Sequence, residues 1–307
     1  MRWMFSCLLV VLLTACGRPQ ADLVIASNSW LGATPVHTYA ALQPEGMPPH
    51  LKPIMLVSDI SVLRMLGNEA AVGAVVTLGN ALGANTLTHG DYCIAMVVDR
   101  SFGGDAIVAR PGWHYQPGQQ VRVGLEDSTA ARAMLAQWMA HQNIALTQVT
   151  TRAVLPTEHA VAFAEQEVDV IVTYEPFVQQ LLRQQARVLF DSTETPIPVV
   201  DVLIVANTAW PQVAPVVQAL LQGAWPQSLR ALAQREPTFW QGLQRLTQLN
   251  EAELSRAVAG VSFYPADEQH MAMDDVLTKD MPKVAELLVR AGIFQQVVPL
   301  QRCETQQ

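Results

Sequence analysis

Basic residues are scarce in this chain. Lysine occurs only at Lys52, Lys279 and Lys283, and Lys plus Arg total 19 against 27 Asp plus Glu, a net charge of −8. No basic stripe is present to neutralise phosphates, which excludes nucleic-acid binding as the main role. Long apolar runs are missing too. No stretch reaches the roughly 20 residues that cross a bilayer, so a polytopic membrane protein is excluded. Cysteine is limited to Cys7, Cys16, Cys93 and Cys303, with no CxxC and no Cys/His cluster at zinc spacing. The histidines are scattered, and neither metal nor cofactor is expected. A Gly-x-Ser-x-Gly elbow is absent, and no Ser/His/Asp set stands in a catalytic context. What the chain has in plenty is apolar surface. Of 307 residues 50% are hydrophobic and 15% charged. A large core follows, disorder is excluded as the main state, and the length suits two lobes of roughly 100–150 residues each.

The chain opens with a segment that reads as an address. Arg2 supplies a positive start, Met4 to Leu13 is apolar, and Leu13-Thr14-Ala15-Cys16-Gly17 follows. The apolar part is too short to span. Small residues before a cysteine at its end resemble the bacterial lipobox. That resemblance implies a signal peptide over residues 1–15, acylation of Cys16, a linker over 16–21, and an extracytoplasmic, membrane-anchored protein. Each buried methylene contributes about 0.8 kcal/mol, so several chains hold where one would not. Gly17 resembles the default signal for the outer membrane in a two-membrane host. With Cys7 and Cys16 accounted for, Cys93 and Cys303 remain in an oxidising compartment. Their pairing stays open. Cys93 lies in the apolar run Cys93-Ile94-Ala95-Met96-Val97-Val98 and reads as a buried small hydrophobe.

Beyond residue 21, short apolar strands alternate with helices. Strands are predicted near 22–27, 51–57, 72–77, 91–98, 105–109, 121–124, 147–152, 168–173 and 200–206. Helices are predicted near 33–42, 58–67, 128–141, 157–166 and 176–184, with Pro176 suited to a first helical position. From Thr208 to Ile293 the pattern is helical, broken at Gly223, Pro226, Pro237, Gly260 and Pro265. Alternation of this kind implies an α/β class with parallel sheets. Val72-Gly73-Ala74-Val75-Val76-Thr77 and Val168-Asp169-Val170-Ile171-Val172-Thr173 share one pattern 96 residues apart. Two similar α/β lobes follow, with ligand expected beyond the carboxyl ends of the strands.

A family resemblance rests on Val168-Asp169-Val170-Ile171-Val172-Thr173-Tyr174-Glu175-Pro176-Phe177, Leu189-Phe190-Asp191-Ser192 and Val200-Asp201-Val202-Leu203-Ile204-Val205. Asn28-Ser29-Trp30-Leu31-Gly32 and Phe102-Gly103-Gly104-Asp105-Ala106-Ile107 add to it. These segments resemble the periplasmic solute-binding proteins of ABC importers, nitrate/sulfonate/taurine group, which also contains binders of thiamine pyrimidine precursors. The departure is Gly73, where the group usually carries an acid, as Asp169 does in the second copy. The resemblance implies the two-lobed type II periplasmic-binding-protein fold. Lobe one would hold residues 22–109 and 200–307, lobe two 110–199, and the crossings would lie near Asp105–Ala109 and Val200–Val205. It also implies a monomer that traps a small molecule by hinge closure and hands it to a membrane permease and its ATPase.

Candidate ligand-binding residues sit at strand ends and helix starts. Trp30 offers a flat wall and Ser29 a hydroxyl. Ser58 and Asp59, like Ser128 and Thr129, begin helices and can present amide donors or serve as ordinary caps. Thr77 and Thr173 end the matched strands. Gly104 permits close backbone approach, Asp105 is a hinge candidate, and Asp201 lies in the second crossing. Tyr174 can stack on a planar group and donate a hydrogen bond, and Glu175 can only accept when ionised. These loops hold no lysine or arginine, and Asp59, Asp105, Glu175 and Asp201 would repel an anion. The expected ligand is a small planar nitrogenous compound. The alternatives are an oxyanion such as sulfonate, taurine or nitrate, a ligand sensor for a membrane signalling partner, and an enzyme on the same fold.

Overall fold

The computed structural model describes residues 22–304. The expected signal peptide, the expected acylation of Cys16 and the expected 16–21 linker lie outside the described residues. Among those described, no helix is long and apolar enough to cross a membrane.

The chain begins as a β/α alternation. Strand β1 (Leu23–Ser27) is followed by α1 (Thr34–Leu42), β2 (Leu51–Met55), α2 (Asp59–Gly67), β3 (Gly73–Thr77) and α3 (Leu78–Leu87). The strands β1, β2 and β3 pair in parallel. Strand β4 (Tyr92–Ser101) then runs out of this sheet and β5 (Asp105–Ala109) enters a second one. The second sheet repeats the alternation with β6 (Val121–Leu125), α4 (Thr129–Gln142), β7 (Val149–Ala153), α5 (His159–Ala164), β8 (Val170–Tyr174), α6 (Phe177–Leu182) and β9 (Arg187–Asp191). Its order is β7-β6-β8-β5-β9. The chain returns through β10 (Val200–Ala206), which lies between β3 and β4 and runs antiparallel to both.

Helices α7 (Trp210–Gln222), α8 (Ala224–Ala233), α9 (Pro237–Thr247) and α10 (Glu251–Ala259) follow. Strand β11 (Val261–Phe263) joins the edge of the first sheet, and α11 (Gln269–Asp275), α12 (Met281–Arg290) and β12 (Gln301–Arg302) close the chain.

Both sheets are covered on two faces, which explains the near-continuous apolar strands. Strand β10 is buried through its first six residues. On one face of the first sheet, α1 and α7–α10 contribute Tyr39, Val213, Trp225, Trp240 and Leu243. On the other, α2, α3 and α12 contribute Val62, Leu82 and Leu288. Met134 and Trp138 of α4 cover one face of the second sheet, and Phe163 and Leu181 of α5 and α6 the other.

Several expectations are corrected. The sheets are mixed, because the crossing strands β4, β5 and β10 run against their neighbours. Asp105–Ala109, predicted to belong with the first lobe, is hydrogen-bonded to β8 and β9 of the second sheet. Pro176 precedes α6 rather than starting it, and Pro226 falls inside the first turn of α8 rather than breaking the helical run. Cys93 is buried as expected, yet it is also bonded to Cys303. Strand β12, parallel to β4, sets Gln301 opposite Cys93 and carries Cys303 into reach.

The odd residue of the repeat has a steric cause. A Cβ at Gly73 would come within 2.7 Å of the Ile204 carbonyl oxygen of β10. Its counterpart Asp169 has room and partners: Arg122 Nη2 at 2.7 Å and Arg110 Nε at 3.4 Å. Those guanidinium donors hold the Asp169 carboxyl below the usual carboxylate range, despite its burial.

Candidate functional site

The two chain crossings fix how the sheets face one another. Ser101 Oγ and Ser192 Oγ, one on each crossing, are hydrogen-bonded at 2.8 Å. Ser192 Oγ also accepts from Gly103 N, and Ser101 Oγ accepts from Asp105 N. The carboxyl ends of β1, β3, β6 and β8 thereby converge on one narrow cavity of about 30 Å³. Trp30, Asp59, Thr77, Asp105, Ser128, Thr173, Tyr174 and Asp201 all line it.

The aromatic wall is held from behind. Trp30 donates its indole N–H to Asp99 Oδ1 at 3.1 Å, and its ring meets Tyr174 edge-on with centroids 6.2 Å apart. Gly104 makes this possible: a Cβ there would overlap the Trp30 ring edge, and the Gly260 carbonyl oxygen would lie at 3.0 Å. Gly104 therefore supports the wall and does not itself line the cavity.

The hydroxyls resolve into caps. Ser58 Oγ accepts from Ser61 N, Thr77 Oγ1 from Asn80 N, and Ser128 Oγ from Ala131 N. Ser58 is not part of the lining, whereas Thr77 and Ser128 are, and the Ser128 hydroxyl donates to the Asp59 carboxyl. Thr129 opens α4 but packs toward Gly83 of α3. Ser29 stands beside the lining with a buried Oγ that has no partner among the described residues.

The helix starts facing the cavity are already occupied, from across the cleft. Ile60 N at the start of α2 donates to Glu126 Oε1 at 2.7 Å, from the loop after β6. Ala130 N at the start of α4 donates to Asn80 Oδ1 at 2.9 Å, from α3. Each sheet's helix is thus satisfied by a side-chain oxygen of the other. Asp59 is enclosed in the same network, accepting from Asn28 Nδ2 and Asn80 Nδ2, both at 2.7 Å.

Glu175 differs most from its expected place. It is absent from the lining and 3% exposed. Its carboxylate turns onto α6, accepting from Gln179 Nε2 at 2.9 Å and Gln179 N at 3.3 Å, while Gln179 Oε1 accepts from Arg256 Nε. The start of a helix is a favourable place for a carboxylate, and this one has taken it. Burial pushes its carboxyl to about 7.

Three polar lining residues were not picked out as candidates from the sequence: Asn28, Glu126 and His159. Asn28 directly follows β1 and Glu126 directly follows β6, so the strand-end rule that singles out Thr77 and Thr173 applies to both. His159 carried no such signal, since it sits on α5 and reaches the cavity only through the packing of that helix on β8. Its Nδ1 lies 3.1 Å from Thr173 Oγ1, and its Nε2 has no partner among the described residues.

The electrostatics are one-sided. Asp59, Asp105, Glu126 and Asp201 line the cavity and no lysine or arginine does. Burial pushes Asp105 to about 7 and Glu126 to about 8, with the Asp59 charge adding to the latter. Burial raises Asp59 as well, and lowers His159 to about 3, leaving it neutral. Asp201 sits opposite Asp99 in the β10–β4 register. Burial and the Asp99 charge raise Asp201 far above the usual range, and the two carboxyls hydrogen-bond each other. Among the described residues no three His, Cys, Asp or Glu side chains converge to hold a metal ion.

Several solved structures share this architecture. One is the ligand-binding component of an ABC-type import system from Staphylococcus aureus, solved with zinc bound: TM-score 0.73, 14% identity, covering 90% of this chain and 94% of that one. A second is the alkanesulfonate-binding protein SsuA from Xanthomonas axonopodis pv. citri, bound to MOPS: TM-score 0.70, 14% identity, coverage 90% and 95%. A third is the Candida albicans CA3427 product, described as having the generic periplasmic binding protein fold: TM-score 0.69, 8% identity, coverage 94% and 98%. At such identities the likeness establishes the fold, that of the periplasmic binding proteins. The importer components among these neighbours are named for binding and not for turnover. No curated protein matches the chain in sequence. Residues 51–236, more than half the chain, match the model of the NMT1-like family, and the chain belongs to that family.

Proposed function

We propose that this protein is the extracytoplasmic solute-binding component of an ABC importer, anchored through acylated Cys16, and that it delivers a small planar nitrogenous compound to a membrane permease. The lobes would be residues 22–101 with 200–304, and 105–191, hinged at the Ser101–Ser192 clasp. Capture would be closure of the cleft about that hinge. The observation that carries the reading is the cavity between the sheets, walled by Trp30 and Tyr174 and lined by carboxylates without a cation.

An oxyanion is disfavoured on two counts. The helix amides that would receive it already donate to Glu126 and Asn80, and the remaining charges on the lining are of its own sign. The neighbour that binds an alkanesulfonate shares the fold but does not carry its ligand over to this cleft.

A thermal-shift panel on residues 17–307 tests this. Pyrimidines, amides and guanidines are set against nitrate, alkanesulfonates and taurine. A ligand at 100 times its dissociation constant adds about 2.7 kcal/mol, worth several degrees in a chain of this size. Stabilisation is expected from the planar nitrogenous members. A shift with nitrate or sulfonate alone would replace the reading with oxyanion import.

A further inference from the structure

The importer reading leaves the charge of the solute open, and the cleft carries an argument about it. Four carboxyl groups line the cavity with no lysine or arginine beside them. Two polar atoms there, on residues more than nine-tenths buried, are bonded to nothing among the described residues, and both accept once Glu126 is ionised and His159 carries its proton on Nδ1. One is Glu126 Oε2 and the other His159 Nε2. A buried acceptor without a donor carries an unrecovered desolvation cost of roughly 1–3 kcal/mol, so the closed cleft holds places for N–H groups that the chain does not supply. The amides that would favour an anion are covered from the opposite sheet, by Glu126 Oε1 on Ile60 N and Asn80 Oδ1 on Ala130 N. Trp30 and Tyr174 line the cavity, and aromatic rings attract cations to their faces.

Resting on the importer reading, we infer that the solute is a small organic cation, a protonated amine or amidinium. Its N–H groups are held by Glu126 Oε2 and His159 Nε2, and its charge is balanced by Glu126 and Asp105.

Protons are linked to this capture. The groups facing Glu126 are Asp59 from α2, with Tyr174 and Asp105 close by on the second sheet and neutral His159 from α5. The hydrogen bonds from Ile60 N, Asp59 N and the Ser58 hydroxyl favour the ionised carboxylate, but burial and the Asp59 charge outweigh them. At pH 6 the cleft carboxyls of Glu126 and Asp105 are largely protonated, given values near 8 and 7. A cation binds the ionised forms and displaces those protons, so affinity rises with pH until both groups are ionised.

The test uses three probes with one ring and three charges: benzamidinium, benzamide and benzenesulfonate. Each is titrated calorimetrically into the protein at pH 6.0 and pH 8.5, a range in which benzamidinium keeps its charge. Benzamidinium is expected to bind at least tenfold more tightly than benzamide, several-fold more tightly at pH 8.5 than at pH 6.0, and with proton release. Benzenesulfonate is expected not to bind. Glu126→Gln keeps an acceptor for Ile60 N and removes the charge. It should weaken benzamidinium at least tenfold and flatten the pH dependence, with the far-UV circular dichroism unchanged. Should that variant fail to fold, Asp105→Asn provides the same comparison.

Benzamide binding as tightly as benzamidinium, binding of benzenesulfonate, or affinity indifferent to both substitutions overturns the cation assignment. Silence of all three probes overturns it as well. None of these results touches the importer reading, which stands or falls on the wider ligand panel.

Discussion

At the scale of single residues, steric demands explain choices that chemistry alone would not. Gly73 breaks the pattern of the repeat because the Ile204 carbonyl of β10 occupies the space its side chain would need. Gly104 is present because the Trp30 ring passes over it. Gly104→Ala should displace that ring and cost about 2 kcal/mol, in the range of overpacked cores. The measurement is a chemical melt together with Trp fluorescence. An unchanged midpoint and spectrum would mean the wall does not depend on this contact. Glu175 and Glu126 make the opposite point. Both are buried carboxyls near helix starts. The helix at Glu175 is its own, α6, and this removes Glu175 from the cleft. The helix at Glu126 belongs to the other sheet, and one oxygen remains turned to the cavity.

At the scale of elements, the sheets are joined by more than the two crossings. Arg183 beyond α6 pairs with Glu253 of α10 and donates to the Gln248 carbonyl, and Gln180 donates to the Thr247 carbonyl. These contacts lie on the α6 side of the cleft and hold the two sheets in the arrangement seen. The end of the chain is tied separately. Strand β12 pairs with β4, and Cys303 is bonded to Cys93 across 210 residues of sequence. Closing so long a loop restrains the unfolded chain, an effect of about 2–4 kcal/mol. Cys303→Ser should therefore lower the melting temperature by roughly 5–10 °C, read by calorimetry with and without reductant. Equal melting of wild type in both conditions would show that the bond contributes nothing to stability.

At the scale of the whole molecule, buried acid sets the pH response. Asp99, Asp105 and Glu175 are raised to about 7 and Glu126 to about 8. In the unfolded chain these carboxyls titrate near 4. The folded state therefore binds more protons between those values, and stability falls as pH rises from about 4 to about 8. Asp169 and Glu253, both lowered by arginine partners, act in the opposite sense: their contribution is present above pH 4 and is lost below it. The ligand-free protein should accordingly melt highest between pH 4.5 and 6 and lower at pH 8.5. Melts across this range read the effect, and a rise in midpoint from pH 6 to 8.5 would contradict the burial of these groups.

Much of this was legible in the chain. Alternating apolar strands and helices specify an α/β fold because a strand covered on both faces has no need of polar residues. The matched pair ending in Thr77 and Thr173 located two sheets. Residues at or beyond the carboxyl ends of parallel strands, such as Trp30, Thr77 and Tyr174, fall at the cavity because those strands present their carboxyl ends to one side, and Asp105 arrives beside Tyr174 from the start of the antiparallel β5. What the sequence could not contain was the relation between the two sheets. That Glu126 reaches α2, that Asn80 reaches α4, that His159 enters the cavity and that Cys303 meets Cys93 all depend on residues tens to hundreds of positions apart. Those distances are set by packing around the crossings, and no local pattern encodes them. The chain by itself determined two α/β units and an acidic set of strand ends. Tertiary structure decided which acids face the cleft, because only the closed arrangement assigns each helix start its partner.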